Sequence, residues 1–187
     1  WADGEENPDL GRKATFWIGR GKLGLGDDNF IGALYSGREF GAEYNRAVAA
    51  DFSFRFLKNH QFLGNYIHSF SGSAAGGEAK GGYLTAEYAF SKGNTFAAAM
   101  AEHVDPGFRM DSAYYQRSGI STLKLYLQRR FVPNAKKLPW LLGVTPQVYA
   151  AYIHDKVSGL DDKELMFEAY ANIILKGQFG GYDYLEQ

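Results

Sequence analysis

The stretch "NRAVAADFSFRFLKN", residues 45–59, decides how the rest of the chain is read. If it is extended, Val48, Ala50, Phe52, Phe54 and Phe56 lie on one side and Ala49, Asp51, Ser53 and Arg55 on the other, because successive strand residues point to opposite faces. A soluble sandwich would turn the phenylalanines into a core and the charges into water. A membrane barrel inverts that arrangement, with aromatics against lipid and charges on an aqueous interior.

The same period of two recurs along the chain. "KATFWIGRGKLGLG" and "NFIGALYSGR" read as two strands around "DD", and "KNH" turns the opening stretch into "QFLGNYIHSFSGS". "AAGGEAKGG" reads as a loose loop of small and polar residues, and "SKGN" as a hairpin turn after "YLTAEYAF". "TFAAAMAEH" is rich in alanine, but its short length between strand patterns favours a strand. In "ISTLKLYLQRRF", Leu123, Leu125 and Leu127 alternate with Lys124, Tyr126, Gln128 and Arg130, sets that a helical wheel would scatter. "PWLLGVTPQVYAAYIHD" is long and apolar, with Pro146 pointing to a bulge or edge irregularity. "KELMFEAYANIILKG" has fair helical propensity, yet its strict alternation outweighs it. The sum is about ten strands joined by hairpin-type links.

Composition narrows the classes. A formal net charge of -1, with 20 basic residues against 21 acidic ones, removes an electrostatic case for nucleic acid. With no cysteine there is neither a disulfide framework nor a thiolate metal site. Aromatics at 16% and 23 glycines suit many strands with tight turns. No run approaches the roughly 18 apolar residues of a membrane-crossing helix, and no signal peptide opens the chain. Residues 1–12, "WADGEENPDLGR", read as a polar connector, and 13–187 as the stranded segment.

Strand length and chemistry favour lipid. The alternating stretches exceed the roughly 5 to 6 residues usual in soluble sheets and fit the about 9 to 11 of a tilted membrane strand. Tyr and Trp gather near strand ends at Trp17, Tyr35, Tyr44, Tyr114, Tyr115, Trp140 and Tyr152, where aromatic girdles sit at membrane interfaces. The charged residues Asp51, Arg55, Lys124, Arg130, Glu164 and Glu168 fall on the opposite faces. There they would line a lumen and set its selectivity, or form cross-strand ion pairs that stiffen the wall.

Two segments carry a resemblance. "DDNFIGALYSGREFGAEYNRAVAADFSFRFLKNHQFLGNYIHS" and "VDPGFRMDSAYYQRSGISTLKLYLQRRF" resemble the C-terminal barrel of the bacterial family catalogued as domain of unknown function 5916. The matching features are the "IGALYSGRE" hairpin with "NR" after it, and the "DPGFR" turn followed by an "R-x-G-I" strand start. The similarity covers most of residues 12–187 and implies a scaffold, not a reaction. Members of that family usually carry an N-terminal domain similar to family 9 carbohydrate-binding modules ahead of an outer-membrane-type barrel. That domain is absent here, so glycan binding is assigned to no residue. The ending "GGYDYLEQ" lacks the final aromatic typical of outer-membrane barrels, and the chain therefore reads as a piece of a longer polypeptide.

The candidate chemistry is sparse. In "DPGFR", Pro106 fixes φ, Gly107 is expected to take positive φ, Asp105 to bond the following backbone, and Arg109 to point inward toward Asp111 or an anionic solute. His68 and Ser69 in "HSFSGS" are adjacent in a strand and so face opposite ways, which defeats direct base activation. His60, His103 and His154 show no metal-ligand spacing, and "GRGKLGLG" lacks the order of a phosphate loop. The expectation is an all-β protein: an antiparallel transmembrane β-barrel, part of a larger barrel, in the bacterial outer membrane. It would act as a pore, conduit or scaffold without cofactor or metal, with the bilayer and a plug or periplasmic protein as partners and no nucleic acid. The alternatives are a barrel-embedded hydrolase and a soluble carbohydrate-binding sandwich.

Overall fold

The computed structural model describes residues 6–7, 12–26, 28–112, 117–174 and 180–186. Two short strands, β1 (Glu6–Asn7) and β2 (Arg12–Lys13), pair with each other, so the polar connector holds a small ladder of its own. The remaining strands are β3 (Thr15–Gly24), β4 (Phe30–Phe40), β5 (Glu43–Phe56), β6 (His60–Gly72), β7 (Glu78–Lys92) and β8 (Thr95–Val104), followed by β9 (Ile120–Arg129), β10 (Leu141–Asp155), β11 (Asp161–Ile174) and β12 (Gly180–Glu186). They form one antiparallel sheet of 10 strands in which every strand pairs with its neighbours in sequence. Among the described residues β3 and β12 are its free edges, and no helix covers either face.

The alternation becomes two chemically distinct faces. Val48, Ala50, Phe52, Phe54 and Phe56 of β5 stand opposite Tyr35, Ala33 and Ile31 of β4 and His68, Tyr66, Gly64, Phe62 and His60 of β6. The same face continues through Leu84, Ala86, Tyr88 and Phe90 of β7 to Ala97, Ala99 and Ala101 of β8. It ends on Leu123, Leu125 and Leu127 of β9, Val148, Ala150 and Tyr152 of β10, and Leu165 and Phe167 of β11. Asp51, Lys124, Gln147 and Glu168 belong to the other face.

Burial runs opposite to that of a soluble protein. Leu123, Leu125 and Leu127 are 46%, 48% and 50% exposed, while the intervening Lys124, Tyr126 and Gln128 are only partly exposed. The buried apolar residues are Ala14, Ala47, Val104, Phe108 and Ala151, three of them alanine. The buried polar ones are Ser36, Asn45, Ser53, Ser69, Ser71, Thr122 and Glu168. The chain exposes 13119 Å², against about 8,900 Å² for a soluble monomer of this size. No second layer covers the leucine and phenylalanine rows among the described residues.

The strands are staggered in one direction. Following paired residues from Gly24, the last of β3, across the sheet leads to Glu164 of β11, yet β11 continues to Ile174, ten residues further. At the other end Asp161, the first residue of β11, is level with Gly21, six residues after β3 begins at Thr15. With a rise of about 3.3 Å per residue and about 4.8 Å between strands, these offsets over eight strand intervals give tilts of about 41° and about 27°. The tilt of barrel strands is roughly 35–45°.

Four local expectations are corrected. Glu78–Gly82 belong to β7, and only Ala74–Gly77 of "AAGGEAKGG" remain as loop. The register irregularity of β10 lies between Leu141 and Gly143, while Pro146 pairs normally with Ala169. Pro146 sits where the ladder to β9 is interrupted, between Gln147 and the isolated bridge of Val144 to Phe131, so its missing N–H leaves no gap in a continuous ladder. Gly107 does not adopt positive φ; a Cβ there would lie 2.5 Å from the Lys80 carbonyl oxygen, so close approach is what requires glycine. Tyr35 sits mid-strand in β4, not at its end.

Candidate functional site: a segment folded back onto the polar face

The connection from β8 to β9 begins by folding back over the sheet. Its first part, Asp105–Ser112, lies on the polar face of β4 to β7. Asn45 of β5 anchors it as a neighbouring strand would: its side-chain N–H donates to the Arg109 carbonyl at 2.8 Å, and its side-chain oxygen accepts from the Asp111 N–H at 2.8 Å. The second Asn45 N–H goes to Ser71 Oγ at 2.8 Å, so both donors and the acceptor of this amide are used. Ser69 Oγ accepts from the Arg109 N–H at 3.0 Å, and Ser36 Oγ meets Ser112 Oγ at 2.6 Å. Ser69 is 0% exposed, which shows how closely the segment seats on β6.

Glycine makes that seat. A side chain at Gly81 would collide with the backbone of Phe108, and one at Gly107 with Lys80. Removing both Cβ atoms lets two backbones touch, and the Phe108 ring then stacks against Tyr83 at 5.6 Å between centroids. Asp105 bonds the backbone that follows it, as the turn motif implied, but through its main-chain carbonyl, which accepts the Phe108 N–H at 3.1 Å, while its carboxylate turns to β7. It accepts the Gly82 N–H from β7 at 2.8 Å, and this bond, with Lys156 nearby, holds its carboxyl below the ordinary aspartate range.

Charge on the segment is organised around one carboxylate. Arg109 Nε donates to Asp111 Oδ1 at 2.6 Å, and Arg38 Nη1 of β4 donates to Asp111 Oδ2 at 3.2 Å. Asp111 and Arg38 are largely covered, whereas Arg109 stays open. A cavity of about 330 Å³ borders this clamp and is also lined by Glu43, Ser71 and Glu78.

The charged residues named from the sequence share the polar face but do not converge. Asp51 reaches over β4 to Arg20 of β3 at 2.5 Å, a path open because Gly32 has no side chain to block it. Arg55 pairs with Asp28 at 3.1 Å near the β3–β4 turn. Arg130 follows the end of β9, its N–H bonded to the Asn94 carbonyl. Lys124 and Glu164 are both in register with Ala151 on the same face. Glu168 is 9% exposed and enters a network the sequence did not reveal: Gln147 donates to it, Tyr170 OH donates to it at 2.9 Å, and Tyr126 OH donates to Gln147.

On the apolar face, Trp17 and Tyr44 lie near the β4–β5 hairpin, and the Tyr35 hydroxyl leans over Gly37 toward the same end. Tyr152 donates to Asp161 at 2.8 Å near the β10–β11 turn, and Trp140 stands at the opposite end, just before β10. Tyr114 and Tyr115 lie outside the described residues. All four histidines fall on this apolar face by register. His68 meets Tyr66 OH at 3.1 Å and not Ser69.

His103 does meet a serine, Ser121 Oγ, at 3.0 Å, with Asp105 at 3.3 Å. Its Nε2, however, accepts from the Lys156 ammonium at 2.7 Å, so the network assigns the ring proton to Nδ1, which donates to Ser121. A histidine in that tautomer holds the serine and takes no proton from it. The trio ties the β8, β9 and β10 ends together.

No family model matches the chain, and no curated protein or solved structure does either.

Proposed function

We propose that this sheet is the wall of a β-barrel in the bacterial outer membrane, with its leucine and phenylalanine rows against hydrocarbon and its ionic rows facing a wet interior. The barrel serves as a pore, conduit or scaffold. The observation that carries this reading is β9, where three leucines about half exposed alternate with partly covered Lys124, Tyr126 and Gln128. Water on the apolar face would leave those rows unsheltered over nearly the whole sheet, whereas lipid makes their exposure favourable. The stagger fits the same reading, since closing a sheet into a barrel requires a staggered register. So do the resemblance to the domain of unknown function 5916 barrels and the band of Val48 to Phe56. That band spans nine residues, about 26 Å along the strand and about 20 Å across a membrane after tilting.

The test uses the absence of cysteine in the chain. Single variants from Thr122→Cys to Gln128→Cys are spin-labelled in phosphatidylcholine vesicles, and collisions with oxygen and with a water-soluble nickel chelate are compared. Odd positions should favour oxygen and even ones the chelate, in strict alternation. Equal chelate access at both sets, or a protein that stays soluble without detergent, would refute the reading.

A further inference from the structure

The inward segment has a role of its own within this wall. We propose that Asp105–Ser112 is a fixed internal ledge that narrows one mouth of the barrel, and that Asp111, held between Arg38 and Arg109, tunes which small ions pass it. This rests on the pore reading above.

Three features of the geometry point the same way. The ledge is built in, because Asn45 pairs with its backbone twice and Ser69, fully buried, accepts from it once. Two glycines, Gly81 and Gly107, leave the space it occupies. These contacts lie on the polar face, the side that a barrel encloses. A connection with nothing to do inside would have no need of this seat, since loops ordinarily run over the outer surface.

The charge arrangement gives the ledge its selectivity. Two guanidinium groups share one carboxylate, and Arg109 remains open toward the 330 Å³ cavity that Glu43 and Glu78 also line. Asp111 is therefore the group whose loss changes the sign balance most directly, leaving two arginines without the anion between them. Charge rings at a constriction set the preference between cations and anions. Removing a negative group there shifts permeation toward anions whatever the starting balance.

The experiment has two arms on the same protein. First, Ser36→Cys with Ser112→Cys is oxidised. The two hydroxyl oxygens are 2.6 Å apart, within the reach of a disulfide. Mass spectrometry should find the intramolecular bond in most molecules, and its absence under oxidising conditions would overturn the ledge. Second, planar-bilayer reversal potentials in a potassium chloride gradient are compared for wild type and Asp111→Asn. The chloride-to-potassium permeability ratio should rise by about twofold or more, with Lys163→Gln, on the apolar face, as an unchanged control. Wild-type channels with no shift in Asp111→Asn would overturn the selectivity role and leave the pore standing. Correctly inserted wild-type protein with no conductance would overturn both.

Discussion

Replacing Leu125 by arginine separates a lipid-facing wall from any soluble sheet. Leu125 lies midway in the apolar band of β9, four residues from Ser121 and four from Arg129, the polar positions that bound it on the same face. At about 3.3 Å per residue and a tilt of about 35°, each boundary is about 11 Å away along the membrane normal, so the new charge sits close to the midplane. An arginine there costs about 2–4 kcal/mol, falling to about 0–1 near the interfaces. In equilibrium terms the folded fraction relative to unfolded drops by about 30- to 700-fold. On a soluble sheet the same residue, 48% exposed, would accept arginine at a cost within about 0.5 kcal/mol. Urea titration of the protein in phosphatidylcholine vesicles, followed by tryptophan fluorescence, measures the difference. Ser121→Arg serves as the shallow comparison, measured against Ser121→Ala because both lose the His103 hydrogen bond, and the difference should be about 1 kcal/mol or less. If Leu125→Arg costs no more than Ser121→Arg, hydrocarbon does not surround that face.

Further outcomes follow from the same geometry. Gly81→Val puts a side chain into the backbone of Phe108, so it should expel the ledge and cost about 1–3 kcal/mol, and proteolysis within 105–112 should accelerate measurably. Glu168→Ala removes the charged acceptor shared by the part-buried Gln147 and Tyr170, at a cost of about 1 kcal/mol. Urea titration would show this, and an unchanged midpoint would count against the network. The carboxyl of Asp105 is held below its ordinary value, first by the Gly82 N–H and then by Lys156. Its contribution is therefore present above the unfolded value, near 3.8, and is lost as pH falls through the lower folded value. Asp105→Asn should flatten the acid limb of a stability profile between pH 5 and pH 2, and an unaltered limb would refute the assignment.

The strands were legible because their signal is local. Alternation at Leu123, Leu125 and Leu127 shows in a single segment, and β11 keeps it from Glu164 to Ile173 despite fair helical propensity. The ledge was not legible, since its contacts join residues far apart: Arg109 to Ser69 across 40 positions and Asp111 to Asn45 across 66. An asparagine or serine inside a strand has no local mark that it faces another backbone. The glycines misled for a related reason. Gly81 and Gly82 read as a loop because small residues punctuate loops, yet in β7 Gly81 marks where a second backbone approaches and Gly82 makes room for the Tyr66 and Asp105 side chains. The one usable signal was their company: "AAGGEAKGG" and "DPGFR" are both rich in residues that permit close approach, and their separation is bridged by one hairpin.

The edges of the sheet carry the remaining argument. In hydrocarbon every backbone N–H and C=O must be paired, and each one left open costs several kcal/mol. β3 offers one edge of 10 residues and β12 another of 7, so on the proposed reading neither can face lipid unpaired. Because consecutive strands alternate in direction over 10 strands, β3 and β12 run antiparallel to each other and are able to pair directly or to accept further antiparallel strands between them. The stagger of ten residues over eight intervals, extended to ten, comes to about 12, a shear compatible with a closed barrel of that size. The ledge argues for the wider solution. Side chains alone fill the interior of a small barrel, and this polar face already carries a backbone segment besides its side chains. On the proposed reading, a wall that encloses both has a gentler curvature, which further strands between β12 and β3 would supply.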